Sequence, residues 1–364
     1  MADILISGYH GFRNSGDEAL LFAILTTLRK KRPGLAVTVL SKTPEETTRV
    51  YGVKSIFRYN YFKIKKEMKA SKMLLFGGGS LLQDVTSSKS ILYYLAVIFL
   101  AQRCNMKTML YANGVGPITK KWSRYLAKII LNRVDLITLR DDKSDEELKN
   151  LGVNRPEIII TADPAFTIEA FPSMSGRYLT SIAGVPDNTK LCIVSIRDWM
   201  RSSIDFTSEL AKLLDDMIEN HNLFPLFVPL QYPADLAISR SVIEKMRHNA
   251  YIINRELSVP EMFSVLSEAQ IIIGMRLHSL IYATTLEIPA MALVYDPKVS
   301  AFMESLNQPD CVNVESFQFC DAKDVLDRII NEKDLRKDKL HNTNKVLKKT
   351  AEENATYAIK LLDS

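Results

Sequence analysis

Gln270-Ile-Ile-Ile-Gly-Met-Arg-Leu-His-Ser-Leu280 reads as a buried strand turning into a helix. Ile271 to Ile273 are consecutive β-branched residues of the kind that fill a parallel sheet, Gly274 releases the backbone, and a helix is predicted over Ser279 to Leu286. Arg276 and His278 then stand at the helix N-terminus. Unpaired N–H groups and the positive end of the dipole favour a phosphate or carboxylate there, and a guanidinium adds a planar two-donor fork. Gly274, Leu277 and Ser279 frame this anion-binding turn, and His278 supplies a group that titrates near neutrality. The plainer alternative has His278 capping the helix and Arg276 pairing with an acid elsewhere.

Outward from this turn, strand-like runs alternate with helical runs along the chain. Ile4–Ser7, Val37–Leu40, Met73–Phe76, Met109–Tyr111, Leu136–Leu139 and Ile158–Ile160 form a first series, with helices such as Asp17–Lys31 and Lys121–Asn132 between them. A second series starts at Leu191–Ile196 and continues through a helix at Phe206–His221 and a strand at Leu226–Pro229. The pattern predicts an α/β protein of two Rossmann-like domains facing a cleft. The expected divisions are a basic N-terminal domain over 1–170, a weakly structured Pro/Gly/Ser-rich linker over 171–190 and a C-terminal domain over 191–340. A last helix over 341–364 is expected, with a return to the first domain left open. Ile91–Ala101 is an apolar run of eleven residues, too short to span a bilayer. It reads as a helix buried between sheet and neighbouring helices, or else as one lying on a membrane surface.

Composition narrows the classes. A chain of 364 residues that is 47% hydrophobic and 24% charged has ample material for two cores. The first residues lack a basic leader and read as a strand, so a cytoplasmic protein is expected, with peripheral contact at the inner face of the membrane left open. Cys104, Cys192, Cys311 and Cys320 form no paired motif and read as reduced thiols, and no cluster has metal-ligand spacing. Residues 1–170 carry 26 basic and 16 acidic side chains and the remainder 21 and 26, so the halves are +10 and −5. A basic half suits a lipid pyrophosphate or an anionic membrane surface, and a merely solvated basic face reads the charge equally well. No nucleic-acid partner is expected.

The unusual residues fall at the carboxyl ends of predicted strands, where open α/β sheets bind ligands. Gly8-Tyr-His-Gly-Phe-Arg-Asn-Ser-Gly-Asp-Glu18 has the wrong glycine spacing for a dinucleotide fingerprint, and Ser41-Lys42 replaces the acid that would close the second strand. Asn14, Gly16 and Asp17 in this turn are candidate contacts for hydroxyls, with helix capping by Ser15 or Asp17 as the alternative. Gly77-Gly-Gly-Ser80 offers backbone donors but lacks the Lys-Ser or Lys-Thr of a Walker loop. Gly78, Gly79, Ser80 and Gln83 join the candidate sugar contacts, as do Arg140 and Asp163. Asp84 is a candidate base, and Arg197 is the second cation expected beside Arg276.

Gly8 to Leu20, Gly77-Gly-Gly-Ser-Leu-Leu-Gln-Asp84, Gly114-Val-Gly-Pro117, Ser195-Ile-Arg197 and Gly274-Met-Arg-Leu-His-Ser279 together resemble the polysaccharide pyruvyltransferase family, in particular its CsaB-type cell-wall ketal-pyruvyltransferases. The resemblance runs over nearly the whole chain, and Arg276-Leu-His278 is its most specific element. It implies a fold similar to the B-type glycosyltransferases. It also implies phosphoenolpyruvate as co-substrate with no further cofactor, and transfer of pyruvate as a 4,6-ketal onto β-N-acetylmannosamine in a lipid-linked secondary cell-wall polymer precursor. Such ketals anchor surface-layer proteins. His278 would be the general acid, Arg276 and Arg197 would hold the donor, and Asp17 or Asp84 would take the hydroxyl proton.

Two other classes stay open at this point. A nucleotide-sugar glycosyltransferase of the same architecture would need an acid for the ribose, for which Glu256, Glu261 and Glu268 are available. A module that binds wall polymer without altering it would leave the Arg-Leu-His turn without a role.

Overall fold

Runs of Ile, Val, Leu and Met between polar turns make strands buried on both faces, which only a sheet covered by helices on each side accommodates. The computed structural model describes residues 2–85, 88–169, 176–199 and 205–364, and it contains two such sheets. The first comprises β1 (Ile4–His10), β2 (Val37–Ser41), β3 (Lys54–Phe57), β4 (Met73–Gly77), β5 (Lys107–Asn113), β6 (Leu136–Leu139) and β7 (Glu157–Ile160). All pairings are parallel, in the order β3-β2-β1-β4-β5-β6-β7. Six helices connect them: α1 (Ser15–Lys31), α2 (Pro44–Tyr51), α3 (Tyr61–Ala70), α4 (Ser88–Arg103), α5 (Lys121–Leu131) and α6 (Asp142–Leu151). One core joins α3 to α6 to one face of the sheet through Ile64, Met68, Ile98, Ala127 and Leu148. A second core seats α1 on the opposite face through Leu21, Ile24 and Leu28.

The second sheet comprises β8 (Leu191–Ser195), β9 (Phe224–Phe227), β10 (Tyr251–Ile252), β11 (Ala269–Gly274), β12 (Ala290–Val294) and β13 (Cys311–Asn313), again all parallel, in the order β10-β9-β8-β11-β12-β13. Its helices are α7 (Gly176–Ile182), α8 (Phe206–His221), α9 (Leu236–Ile243), α10 (Val259–Leu266), α11 (Leu277–Thr285), α12 (Pro297–Ser305) and α13 (Phe319–Asn331), followed by α14 (Lys333–Asp363). The strand order reverses at β1/β4 in the first sheet and at β8/β11 in the second. At such a switch point the connecting loops leave in opposite directions and open a crevice beyond the strand ends.

By internal contacts the chain divides into unit 1, Met1–Ile168 with Val346–Ser364, and unit 2, Glu169–Lys345. The last helix begins at Lys333, earlier than residue 341, and its final turns bury Ala355 and Ala358 in the core of unit 1. Asn354 is fully buried there, accepting from the Thr161 hydroxyl at 2.9 Å and donating to Ala162 O at 3.3 Å.

Four strands lie outside the alternation read from the sequence: β3, β10, β12 and β13. β3 is an edge strand whose burial rests on Ile56, β10 and β13 have two and three residues, and β12 (Ala-Met-Ala-Leu-Val) is poor in β-branched side chains. Helix α7 forms where a weakly structured linker is expected, because Leu179 and Thr180 are buried as it packs on α10. Residues 170–175 of that segment lie outside the described residues. The apolar run 91–101 divides its faces: Ile91, Leu95 and Ile98 enter the core, while Leu92 and Phe99 are 42% and 44% exposed.

Candidate functional site

In unit 2, Ser195 ends β8 directly beside Gly274 at the end of β11. Arg197 and Arg276, each two residues further on, therefore emerge from neighbouring strands at the switch point. A Cβ on Gly274 would overlap the Ser279 hydroxyl and approach Leu280 Cδ2 to 3.0 Å, so only glycine lets α11 start this close to its strand. Helix α11 begins at Leu277, two residues before the predicted start, with Arg276 as its N-cap residue and no side-chain capping bond. His278 is therefore not the cap. It is half-buried inside the first turn, its ring 6.0 Å from that of Tyr282. Ser279 serves the turn itself: its hydroxyl and its N–H both donate to Arg276 O, at 2.5 and 2.9 Å.

The Arg276 fork is engaged within the protein. Its Nε donates to Asp235 Oδ2 at 2.9 Å, and its Nη2 donates to Asp235 Oδ1 at 2.6 Å and to Gln231 Oε1 at 3.0 Å. This corrects the expectation of a fork held open for a ligand. Asp235, at the start of α9 and 1% exposed, balances the guanidinium charge. Arg197 is different. Its guanidinium lies 5.3 Å from the Tyr295 ring centroid, its buried Nε has no hydrogen-bond partner, and no carboxylate pairs with it among the described residues. Arg197 thus carries the uncommitted cation of this strand end.

In unit 1, the crevice between β1 and β4 gathers several of the predicted residues. Gly78 and Gly79 have φ of 62° and 76°, a left-handed path that turns the backbone toward α1. A Cβ on Gly79 would stand 3.3 Å from Asp17 Oδ1. Arg140 donates from Nη2 to Ser80 Oγ and from Nη1 to Asp163 Oδ2, both at 2.8 Å, and Asp163 Oδ1 accepts from Ala165 N at 3.0 Å. Ser80, Arg140 and Asp163 therefore form one bonded cluster on the floor of the crevice. The half-buried Gln83 stands just beyond Ser80.

Asp17 and Asp84 separate clearly. Burial, reinforced by the nearby Glu18 and Asp163 and opposed by Arg140 and Arg58, pushes Asp17 up to about 7. Asp84 is 4% exposed and fully used: Oδ1 accepts from Thr119 N and Oγ1, and Oδ2 accepts from Lys120 N at 2.9 Å. Against the cost of burial these bonds hold it down to about 2, the behaviour of an anchor for the turn before α5 rather than of a base. Asn14, not Ser15 or Asp17, caps α1, its Oδ1 accepting from Gly16 N at 3.0 Å. That bond takes the oxygen expected to meet a ligand and leaves the Asp17 carboxylate outside the cap. Of the acids considered for a ribose, Glu261 closes a capping box with Ser258 and accepts from Arg255, and Glu268 pairs with Arg177.

Two residues of this crevice escaped the sequence reading. His10 ends β1 at 1% exposure; burial, with Arg58 nearby and against a backbone hydrogen bond with Asp17, holds it down to about 3 and therefore neutral. Arg58, 3% exposed, donates to Gly8 O at 2.8 Å and lies 4.3 Å from the Tyr93 ring centroid and 5.1 Å from that of Phe12. No carboxylate pairs with it among the described residues. The available signal is an arginine set among Phe57, Tyr59 and Tyr61, hidden because Lys54-Ser-Ile-Phe57 has too little apolar pattern to read as a strand.

The sequence model of the family described as polysaccharide pyruvyl transferase matches residues 14–297. The amylovoran biosynthesis protein AmsJ of Erwinia amylovora is 23% identical over 362 residues, covering 84% of this chain and 86% of that protein. Among solved structures, S. aureus MnaA with UDP superposes with a TM-score of 0.68 at 12% identity, covering 100% of this chain and 98% of the other. UDP-GlcNAc 2-epimerase from Neisseria meningitidis, bound to UDP-GlcNAc, gives 0.68 at 10% identity over 99% of each chain. A glycosyltransferase from Rickettsia africae gives 0.62 at 14% identity over 99% of each. At such identities the likeness concerns the fold, which is that of the two-Rossmann-unit glycosyltransferases and epimerases.

Proposed function

The chain belongs to the polysaccharide pyruvyl transferase family, and on that premise we propose that it transfers pyruvate from phosphoenolpyruvate, as a 4,6-ketal, onto a β-N-acetylmannosamine residue of a lipid-linked cell-wall polymer precursor. The observation that carries the reading is the uncommitted Arg197 guanidinium on the strand end next to the turn that bears His278. A guanidinium of this kind, with the N–H groups of Leu277 and His278 at the start of α11, suits a small ligand carrying both carboxylate and phosphate. Arg276, fastened to Asp235 and balanced by it, keeps the turn in shape.

In the proposed reaction His278 delivers a proton to C3 of the enol, and positive charge develops at C2 beside the donor carboxylate. One acceptor hydroxyl bonds to C2, the bond from C2 to the phosphate oxygen breaks, and a second hydroxyl closes the ketal. Of the two hydroxyl protons, one replaces the proton given to C3 and the other leaves with phosphate. Asp17, with a pKa of about 7, is suited to accept and pass on such a proton at neutral pH, whereas Asp84 is not. The Ser80, Arg140 and Asp163 cluster and the Gly78–Gly79 backbone then serve the acceptor sugar.

The test is incubation with phosphoenolpyruvate and a lipid-linked N-acetylmannosaminyl disaccharide, followed by mass analysis and a phosphate assay. One added pyruvyl group per released phosphate is the expected result. Consumption of a UDP-sugar with phosphoenolpyruvate untouched would overturn the proposal in favour of a glycosyltransferase.

A further inference from the structure

Between Tyr61 and Val134 the sequence holds thirteen Lys and Arg residues and two acids, Glu67 and Asp84. Both acids are buried, at 7% and 4% exposure, and both are bonded inside unit 1. This stretch contributes α3, α4 and α5, which share one core and therefore lie on one face of the first sheet. α4 packs on α5, and Tyr59, just before α3, meets Tyr93 of α4 with ring centroids 5.5 Å apart. The outer surface of the three helices thus carries basic charge with no exposed acid of its own.

The same surface is unusually apolar. Phe62 at the start of α3 is 83% exposed, and Leu92 and Phe99 share one face of α4 seven residues apart. On α5, Trp122, Tyr125 and Ile129 are 40%, 65% and 37% exposed. Their i, i+3, i+7 spacing makes the stripe that a helix ordinarily turns toward a core, yet here it faces solvent. Exposed lysines alternate with these side chains: Lys63, Lys65, Lys66 and Lys69 on α3, Lys121 and Lys128 on α5. Lys63 sits in the first turn of α3, where the helix dipole disfavours a cation and where no acid is present. Aromatic rings among lysines on a helical surface match an interface of hydrocarbon beneath anionic headgroups.

We infer that the outer face of α3, α4 and α5 docks on an anionic phospholipid membrane. A second copy of the chain is disfavoured as occupant, because two such faces would oppose lysine to lysine. The inference deepens the proposed function, since it rests on an acceptor that is lipid-linked and brings unit 1 to the surface where such an acceptor is held.

The experiment is co-sedimentation of the full chain with vesicles of phosphatidylcholine plus phosphatidylglycerol, against phosphatidylcholine alone. Pyruvyl transfer onto a water-soluble, short-tailed acceptor is measured in parallel. The wild type is expected to bind the anionic vesicles and to be released by salt. Lys63→Ala/Lys65→Ala/Lys66→Ala should lower the partition coefficient roughly a hundredfold, and Phe62→Ser/Trp122→Ser should weaken binding to the same vesicles, with turnover on the soluble acceptor unchanged in both. Failure of the wild type to bind anionic vesicles, or unchanged binding by both variants, overturns the docking face even where soluble turnover is normal. So does a wild-type dimer that the variants abolish without any vesicle binding. Vesicle binding of the expected pattern with no transfer onto any acceptor supports the face and counts against the pyruvyltransferase reading alone.

Discussion

Asp235 accepts both donors of the Arg276 fork, from Nε at 2.9 Å and from Nη2 at 2.6 Å, with the acid 1% and the arginine side chain 13% exposed. A nearly dry pair with both ends satisfied is costly to break from one side, because the remaining charge stays buried. Asp235→Ala is expected to lower stability by about 3 kcal/mol, read from the shift in urea midpoint. Arg276→Lys should lose much of the same stability, since an ammonium cannot meet both carboxylate oxygens in this geometry. A midpoint unchanged in both variants would show that the pair is not maintained in solution.

Among the described residues Arg197 has no such acid. Arg197→Ala should therefore leave stability within about 1 kcal/mol of the wild type while weakening phosphoenolpyruvate binding at least about tenfold. Calorimetric titration with the donor alone distinguishes this from the Asp235 effect, and unchanged affinity would remove Arg197 from the donor site.

His278→Gln should fold normally and lose about two to four orders of magnitude in transfer rate, the usual contribution of a positioned acid. The residue is not the N-cap of α11 and its side chain is half-buried, so the loss in rate should exceed any loss of stability. Near-normal turnover in the purified variant would assign the proton to another group.

Asp17 has its folded-state pKa at about 7, above the ordinary 3.8. The folded protein therefore holds this proton more tightly than the unfolded chain does. The resulting stabilisation is complete below pH 3.8 and is lost as pH rises through about 7. Asp17→Asn should flatten that part of the stability profile. Transfer by the wild type should rise with pH about an inflection near 7, and persistence of that inflection in Asp17→Asn would assign it elsewhere.

His10 has the opposite linkage. Its ordinary value of 6.5 falls to about 3 on folding, so the stability it contributes is present above pH 6.5 and is lost as pH drops toward 3. His10→Phe keeps a ring in the cavity without a titrating nitrogen. It should raise the urea midpoint relative to the wild type at about pH 5, with little difference at about pH 8. An equal difference at both values would mean that packing, not protonation, governs the site.

Much of the fold was legible because parallel strands covered on both faces must be written in continuous apolar runs. Ile4–His10, Met73–Gly77 and Ala269–Gly274 are such runs, and each contains the strand segment read from the sequence. Of the edge strands, β7 was legible through Ile158-Ile-Ile160, whereas β3, β10 and β13 are too short or too polar for periodicity to register. The candidate site divides in the same way. Glycine, arginine and histidine at strand ends can be recognised as types, but whether a guanidinium is free depends on a partner dozens of residues away, as Asp235 is from Arg276.

The sequence by itself determined two doubly wound parallel units and the two strand-end turns where the candidate site residues gather, because local periodicity and backbone freedom at glycine are properties of short segments. Only the tertiary structure decided which polar and charged groups are committed. Arg276 is consumed by Asp235, Asp84 by the turn before α5 and Asn14 by the cap of α1, while among the described residues Arg197 pairs with no carboxylate and Asp17 keeps a pKa of about 7. Charge pairing and desolvation depend on through-space distance and on exclusion of water, and neither is encoded in the spacing of residues along the chain.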